Sequence, residues 1–360
     1  MKQSALALAV LAALSLNHSA HAQTNVQVYG LIDAGVEYVN HASADGGGLA
    51  RVISGGKNTS RWGFRGTEDL GGGLKAIYTL EGGILMDTGA IDGQLFKRQA
   101  YVGLEGGFGR LVVGRSFTTV YDFVIKFDPL GFAPNYSWAT TASATGPSKY
   151  GMTTGFDNIV KYQGTFNKLK VGASFGAGEV AGSFADGRKF AGAAAYEMGP
   201  LRFVATGERV NGTSNAAGLR SASTVYHAAA AYEVNDALSL KAGHRRLKLD
   251  QATGPDVRAD TWWAGANYDL TPTIDLTGVV YYVNVKTGVT PADTAADPMM
   301  FVLRAKYSLS KRTSLYATAA RAKAKGGVPV GVSRDNNEDG GVTGFSDRQT
   351  GLLVGIQHRF

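Results

Sequence analysis

Five basic residues (Arg61, Arg65, Lys75, Arg98 and Arg115) and two acids (Asp122 and Asp128) are those whose type and spacing could do chemistry in this chain. The acids fall in an unusually long segment that leaves the strand-like stretch Arg110–Arg115 and continues to Pro147 without convincing periodicity. Compact folds rarely carry so long an irregular stretch unless it is functional or folded inward. The basic residues sit in short alternating runs. Arg61 and Arg65 oppose Trp62 and Phe64, and Lys75 lies with Thr79 and Glu81 opposite Leu74, Ala76, Tyr78 and Leu80. Charges of one sign lining a narrow, low-dielectric passage focus the field and bias which ions enter. The chemistry expected is electrostatic sorting, with basic wall residues facing acidic residues of the long segment. Few acids oppose the inward arginines, so a weak preference for anions follows.

Other chemistries find little support. There is no cysteine, which removes thiolate metal sites and thiol nucleophiles. His41, His227, His244 and His358 are far apart and lack metal-ligand spacing. Gly109 to Ser116 mimics a phosphate-binding loop, but its β-branched interior reads as strand rather than loop-then-helix. Asn58-Thr59-Ser60 and Asn211-Gly212-Thr213 match a glycosylation sequon by chance-level similarity. No Gly-x-Ser-x-Gly elbow and no His-acid-nucleophile grouping is visible, so an enzyme built on a barrel is disfavoured. A surface adhesin would need neither the basic ladder nor so long a third loop. The basic balance, with pI about 9.3, is not accompanied by the aromatic platform that nucleic-acid stacking requires. No cofactor is implied.

The elements that must position these residues are strands. Lys2, the apolar run Ala5 to Leu14 and Ala20-His21-Ala22 fit the three parts of a secretory leader. Residues 1–22 are therefore expected to be removed, and 23–360 to form one domain. The apolar run is too short for a membrane-spanning helix, which needs about 20 residues. In the clearest strand, 26–39, Val26, Val28, Ile32, Ala34, Val36 and Tyr38 share one face, and Asp33 and Glu37 lie on the other. Residues 41–58 read as a Gly/Ser/Ala/Asp-rich loop. Further strands are expected at Ser60–Thr67, from Leu74 to about Glu81, and near 95–105 and 110–116. Past the long segment they are expected near 157–165, 169–178, 188–198, 201–211, 223–234, 237–248, 259–270, 273–285, 298–309, 313–324 and 348–360. Tight turns such as Gly71-Gly72-Gly73 alternate with long polar loops, as at the two ends of an outer-membrane barrel. The count is about sixteen. Lipid-facing and lumen-facing residues alternate in such a barrel, so a near-neutral mean hydropathy is compatible with it. Leu352, Val354, Ile356, His358 and the terminal Phe360 share a face, consistent with a last strand that pairs with the first and leaves no edge. An arginine on the lipid face would cost about 2–4 kcal/mol at the midplane, which favours Arg61 and Arg98 inside. Trp62, Phe64, Tyr78 and Phe360 suit aromatic girdles.

The ordered stretches VQVYGLIDAGVEY (26–38), SRWGFRGTEDLGGGLKAIYTLE (60–81), FKRQAYVGLEGGFGRLVVGR (96–115) and GIQHRF (355–360) resemble the general porins of Gram-negative outer membranes. The likeness is to the beta-proteobacterial, neisserial and Bordetella-like group, over the whole mature chain. It implies an all-β fold, a 16-stranded antiparallel transmembrane β-barrel with its third external loop folded inward as a constriction. It further implies a homotrimer set in outer-membrane lipid and lipopolysaccharide, passing small hydrophilic solutes and ions by diffusion. Arg61 and Arg98 occupy positions whose arginines line the constriction in the family, and Arg115 matches a third basic position. Asp122 follows the tyrosine at the loop's start as the pattern expects. Many relatives carry Pro-Glu-Phe-Gly at the loop tip, where this chain has Asp128-Pro129-Leu130-Gly131-Phe132.

Overall fold

The computed structural model describes residues 25–139, 152–288, 291–332 and 344–360. The leader expected at 1–22 and the end of the long segment at Pro147 lie outside the described residues. Every strand belongs to one sheet. The first six are β1 (Asn25–Val39), β2 (Leu49–Ser54), β3 (Arg61–Gly71), β4 (Leu74–Gly83), β5 (Gln99–Gly106) and β6 (Gly109–Phe117). After the long segment come β7 (Gly155–Phe166), β8 (Leu169–Gly176), β9 (Lys189–Met198), β10 (Leu201–Asn211), β11 (Ala222–Glu233) and β12 (Leu238–Asp250). The chain ends with β13 (Val257–Thr271), β14 (Ile274–Thr287), β15 (Met299–Ser308), β16 (Thr313–Lys323) and β17 (Arg348–Arg359).

These seventeen segments make sixteen staves. Both β2 and β3 pair antiparallel with β1, β2 along its upper half (Ala34 opposite Ser54) and β3 along its lower half (Leu31 opposite Arg61). They are one stave interrupted at 55–60. The expectation of an unbroken loop over 41–58 is thereby corrected. Leu49 to Ser54 carries its own alternation, with Val52 outward and Ile53 inward, but the run is short and flanked by Gly/Ser residues that mask it.

The barrel closes where β17 pairs with β1, from Leu31 opposite Arg359 to Val39 opposite Gly351. Gly30 and Phe360 extend the ladder, each donating its N–H to the other's carbonyl at 3.1 Å. A Cβ at residue 30 would lie 2.3 Å from the Phe360 ring and 2.9 Å from the Arg61 carbonyl, so glycine there leaves room for the terminal aromatic at the seam. All neighbouring pairs are antiparallel, and closure removes the free edges that a bilayer cannot hydrate. Valines and leucines such as Val26, Val36, Val102, Leu303 and Val354 point out and stay exposed, while Asp33 and Glu37 point in and are buried. Period-2 alternation produces that inversion of the soluble pattern.

The core is built by the long segment. Beyond β6, Thr118 caps a short helix, α1 (Thr119–Val124), accepting the Tyr121 N–H at 3.0 Å. A 3-10 turn over Ile125–Phe127 follows, and the chain then runs inside the barrel to Ala139. Val120, Val124, Phe127, Leu130, Tyr136 and Trp138 pack against inward wall residues that include Val204, Leu247, Trp263, Val279 and Met300. Gly172 makes room for Phe123, since a Cβ there would come within 2.6 Å of its ring. Apolar burial at about 25 cal/mol per Å² fastens the segment to the wall.

Candidate constriction of the lumen

Glu81 on β4 is the hub. Its Oε1 accepts from Arg98 Nε at 2.8 Å and its Oε2 from the Tyr29 hydroxyl at 2.9 Å, with Arg61 Nε 3.8 Å away. Arg61 also donates to the Thr59 carbonyl at 3.1 Å and lies within electrostatic reach of Arg98, Tyr121 and Arg359. The Arg98 guanidinium lies 5.2 Å from the centre of the Phe117 ring, which stacks on Tyr121 at 4.5 Å. Neighbouring staves thus bring Arg61 and Arg98 together beside the root of the inward segment.

The other basic residues are placed differently. Arg65 shares the inward face but lies nearer the short-turn end, on Gln27 at 2.8 Å and over the Tyr29 ring. Lys75 is one residue from the Gly71–Leu74 turn, opposite Asp69 and Glu105, and is exposed at that mouth rather than at the Glu81 hub. Arg115 is opposite Ala100, on the face of exposed Val102 and away from Tyr101, so its expected place on the ladder is corrected. Where β7 bulges opposite it, it reaches Asp157 and the Lys97 carbonyl.

Neither acid of the inward segment opposes Arg61 or Arg98. Asp122 Oδ2 accepts from Lys161 Nζ at 2.8 Å and Gln163 Nε2 at 2.6 Å, both on adjacent β7. Asp128 is 1% exposed. It accepts the Leu130 and Phe132 N–H groups at 3.2 and 2.8 Å, the Ser137 hydroxyl at 2.8 Å and the Tyr281 hydroxyl at 2.6 Å. A carboxylate saturated in this way shapes a turn and pins it to the wall; the reading of Asp128 as an acid facing the arginines is corrected. The missing Pro-Glu-Phe-Gly tip is consistent with that change of role.

Several residues that matter here were not singled out by sequence. Lys161, flanked by outward Val160 and Tyr162, and Arg245, between Gly243 and Leu247, follow the same inward alternation that marked Arg61. Arg245 is fully buried and donates to the Ala139 carbonyl at 2.5 Å and Thr261 Oγ1 at 3.0 Å. Trp263 Nε1 holds the Phe127 carbonyl at 2.9 Å, and the Tyr136 hydroxyl reaches Glu37 at 2.8 Å. Arg65, Arg359 and Lys57 have no carboxylate partner among the described residues. Among those residues there is also no group of His, Cys, Asp and Glu that could hold a metal ion.

A closed sixteen-stave barrel with an apolar outside, a charged inside and an inward segment defines a channel protein of the outer membrane rather than an enzyme. The chain belongs to the Gram-negative porin family, whose model matches residues 7–327. It is 33% identical to outer membrane porin protein 32 of Delftia acidovorans over the full length of both chains. It is 29% identical to an outer membrane porin protein of Bordetella pertussis, again over both whole chains. A 125-residue stretch, 34% of this chain and 36% of the relative, is 40% identical to the major outer membrane protein P.IB of Neisseria meningitidis. Among solved structures, the anion-selective porin from Comamonas acidovorans superposes with a TM-score of 0.80 at 27% identity, covering 94% of this chain and 100% of that one.

Proposed function

We propose that this porin is a general diffusion channel for ions and small hydrophilic solutes, with a weak preference for anions. Its constriction lies between Arg61 and Arg98 on the wall and the root of the inward segment at Phe117 and Tyr121. The observation that carries the reading is the charge count at the hub: two guanidinium groups share one carboxylate, Glu81. Asp122 is paired with Lys161, and Asp128 is buried on Tyr281 away from the hub, so neither acid of the segment offsets the two arginines. Arg65, Arg359 and Lys57 extend the positive field along the lumen. In a low-dielectric passage such an excess raises the local anion concentration, while Glu81 keeps the preference weak. The likeness to a porin described as anion-selective supports the sign.

The functional unit in this reading is a homotrimer. A Vibrio cholerae outer membrane protein, OmpT, known in a trimer form, shares the fold at a TM-score of 0.70. Reconstitution in a planar bilayer under a salt gradient tests the proposal. Stepwise currents with a reversal potential on the anion side are expected. Currents that reverse on the cation side would keep the channel and overturn the charge assignment.

A further inference from the structure

One step from the Glu81 hub toward the short turns, the lumen-facing wall is uneven. The row there reads Gln27, Arg65, Thr79, Tyr101 and Gly114 across β1, β3, β4, β5 and β6. The row on its hub side holds Tyr29, Gly63, Glu81 and Gln99. On its turn side stand Thr67, Ile77 and Gly103. Gly63 and Gly103 present no side chain and Thr79 a short one, so the wall is recessed between Tyr29, Arg65 and Tyr101. The recess has a volume of about 370 Å³.

Arg65 carries the uncommitted charge of this recess. Its Nε donates to Gln27 Oε1 at 2.8 Å, and its guanidinium lies 4.9 Å from the centre of the Tyr29 ring. Among the described residues its two terminal nitrogens have no hydrogen-bond partner. The other charged groups that line the recess are engaged. Glu81 accepts from Arg98 at 2.8 Å and from the Tyr29 hydroxyl at 2.9 Å, and Arg110 pairs with Glu105 at 2.7 Å. A guanidinium with both terminal nitrogens free is a planar fork that grips a carboxylate through two parallel hydrogen bonds. Tyr101 stands two staves away, about 10 Å across the backbone. The Thr79 hydroxyl donates to the Tyr101 hydroxyl at 3.0 Å and anchors that ring at the edge of the recess.

We propose that the recess is a binding site for small aromatic monocarboxylates on their way through the lumen, with the carboxylate on Arg65 and the ring against Tyr101. The two ends of the site select this class together. The fork of Arg65 calls for a planar anion, and the tyrosine face favours a flat apolar body in offset or edge contact. An inorganic anion or a short aliphatic acid uses the first end alone, and a neutral aromatic the second alone. The span between Arg65 and Tyr101 suits a single ring bearing its carboxylate directly. The inference rests on the reading of the lumen as a diffusion path, and not on the sign of its ion preference.

The test is saturation-transfer difference NMR of the purified porin in detergent, titrated separately with benzoate, acetate and benzyl alcohol. Wild type should bind benzoate about fivefold more tightly than either of the other two. Arg65→Gln should weaken benzoate about tenfold and leave benzyl alcohol unchanged. Tyr101→Ala should weaken benzoate about fivefold and leave acetate unchanged. Heat-modifiable migration on gels verifies that both variants are folded barrels. Equal binding of benzoate and acetate by wild type, or benzoate binding that Arg65→Gln leaves intact, overturns the proposal. Benzoate binding through Arg65 in a protein that passes no stepwise current keeps the site and overturns the diffusion reading instead.

Discussion

The Tyr281 hydroxyl on β14 donates a 2.6 Å hydrogen bond to Asp128 Oδ1, joining the inward segment to a wall strand 153 residues later in the chain. Both groups are buried, so the bond cannot be exchanged for water without opening the contact. Tyr281→Phe should cost about 1–3 kcal/mol, the penalty for leaving a buried acceptor short of a donor. Asp128→Ala should cost more, because the two N–H groups and the Ser137 hydroxyl also lose their acceptor. Both variants should show noisier open-channel currents and closure at lower voltage. Unchanged noise in both would mean that apolar packing alone holds the segment.

Removing the hub carboxylate should act in the opposite sense to removing its arginines. Glu81→Gln keeps the size of the side chain but leaves Arg98 and Arg61 without their shared negative charge. The reversal potential in a salt gradient should move further to the anion side. A move toward cations would contradict the charge count at the hub.

Arg61→Ala and Arg98→Ala should each shift selectivity toward cations, and the double variant further still. Lys75→Ala and Arg115→Ala provide the contrast, because one lies at the turn-side mouth and the other reaches Asp157. Their reversal potentials should stay near wild type. An equally large shift from Arg115→Ala would put that side chain back at the constriction.

A pH dependence is expected at the external loops. Asp186, between β8 and β9, accepts from the Ser214 hydroxyl at 2.8 Å and from Arg220 Nη1 at 2.9 Å, tying its loop to the one between β10 and β11. The Ser214 hydrogen bond, with help from Ser183 and Arg220, holds its carboxyl below the usual carboxylate range. A depressed folded value means that the stabilisation is complete above the unfolded pKa and is lost as pH falls through the folded one. Limited proteolysis of the two loops should therefore accelerate only in acid below the ordinary carboxylate range. Asp186→Asn should abolish that dependence.

Much of the barrel was legible because each stave faces lipid on one side and lumen on the other, which writes a period of two into the sequence. The alternation around Asp33 and Glu37 and the run ending at Phe360 mark both partners of the closing seam. The interruption at 55–60 was not legible: a six-residue strand between Gly/Ser stretches is too short to announce itself. Nor does Arg115 face the lumen: it shares the parity of outward Leu111 and Val113 on β6, and the extra residue of the bulge lies on β7, where Asp157 and Asn158 oppose it.

By itself the sequence determined the staves and the alternation of short turns and long loops. Only the tertiary structure decided which charges meet. A period of two reports a side chain's face but not its depth along the stave, and pairing register sets that depth. Glu81 therefore meets Arg98 and Arg61 through the register of β3, β4 and the chain entering β5, a relation no local pattern contains. The fates of Asp122 and Asp128 depended on where an aperiodic segment lands across the lumen, on Lys161 for one and Tyr281 for the other. Long-range packing of Phe123, Phe127 and Trp138 against the wall chooses that landing, and no spacing within the segment encodes it.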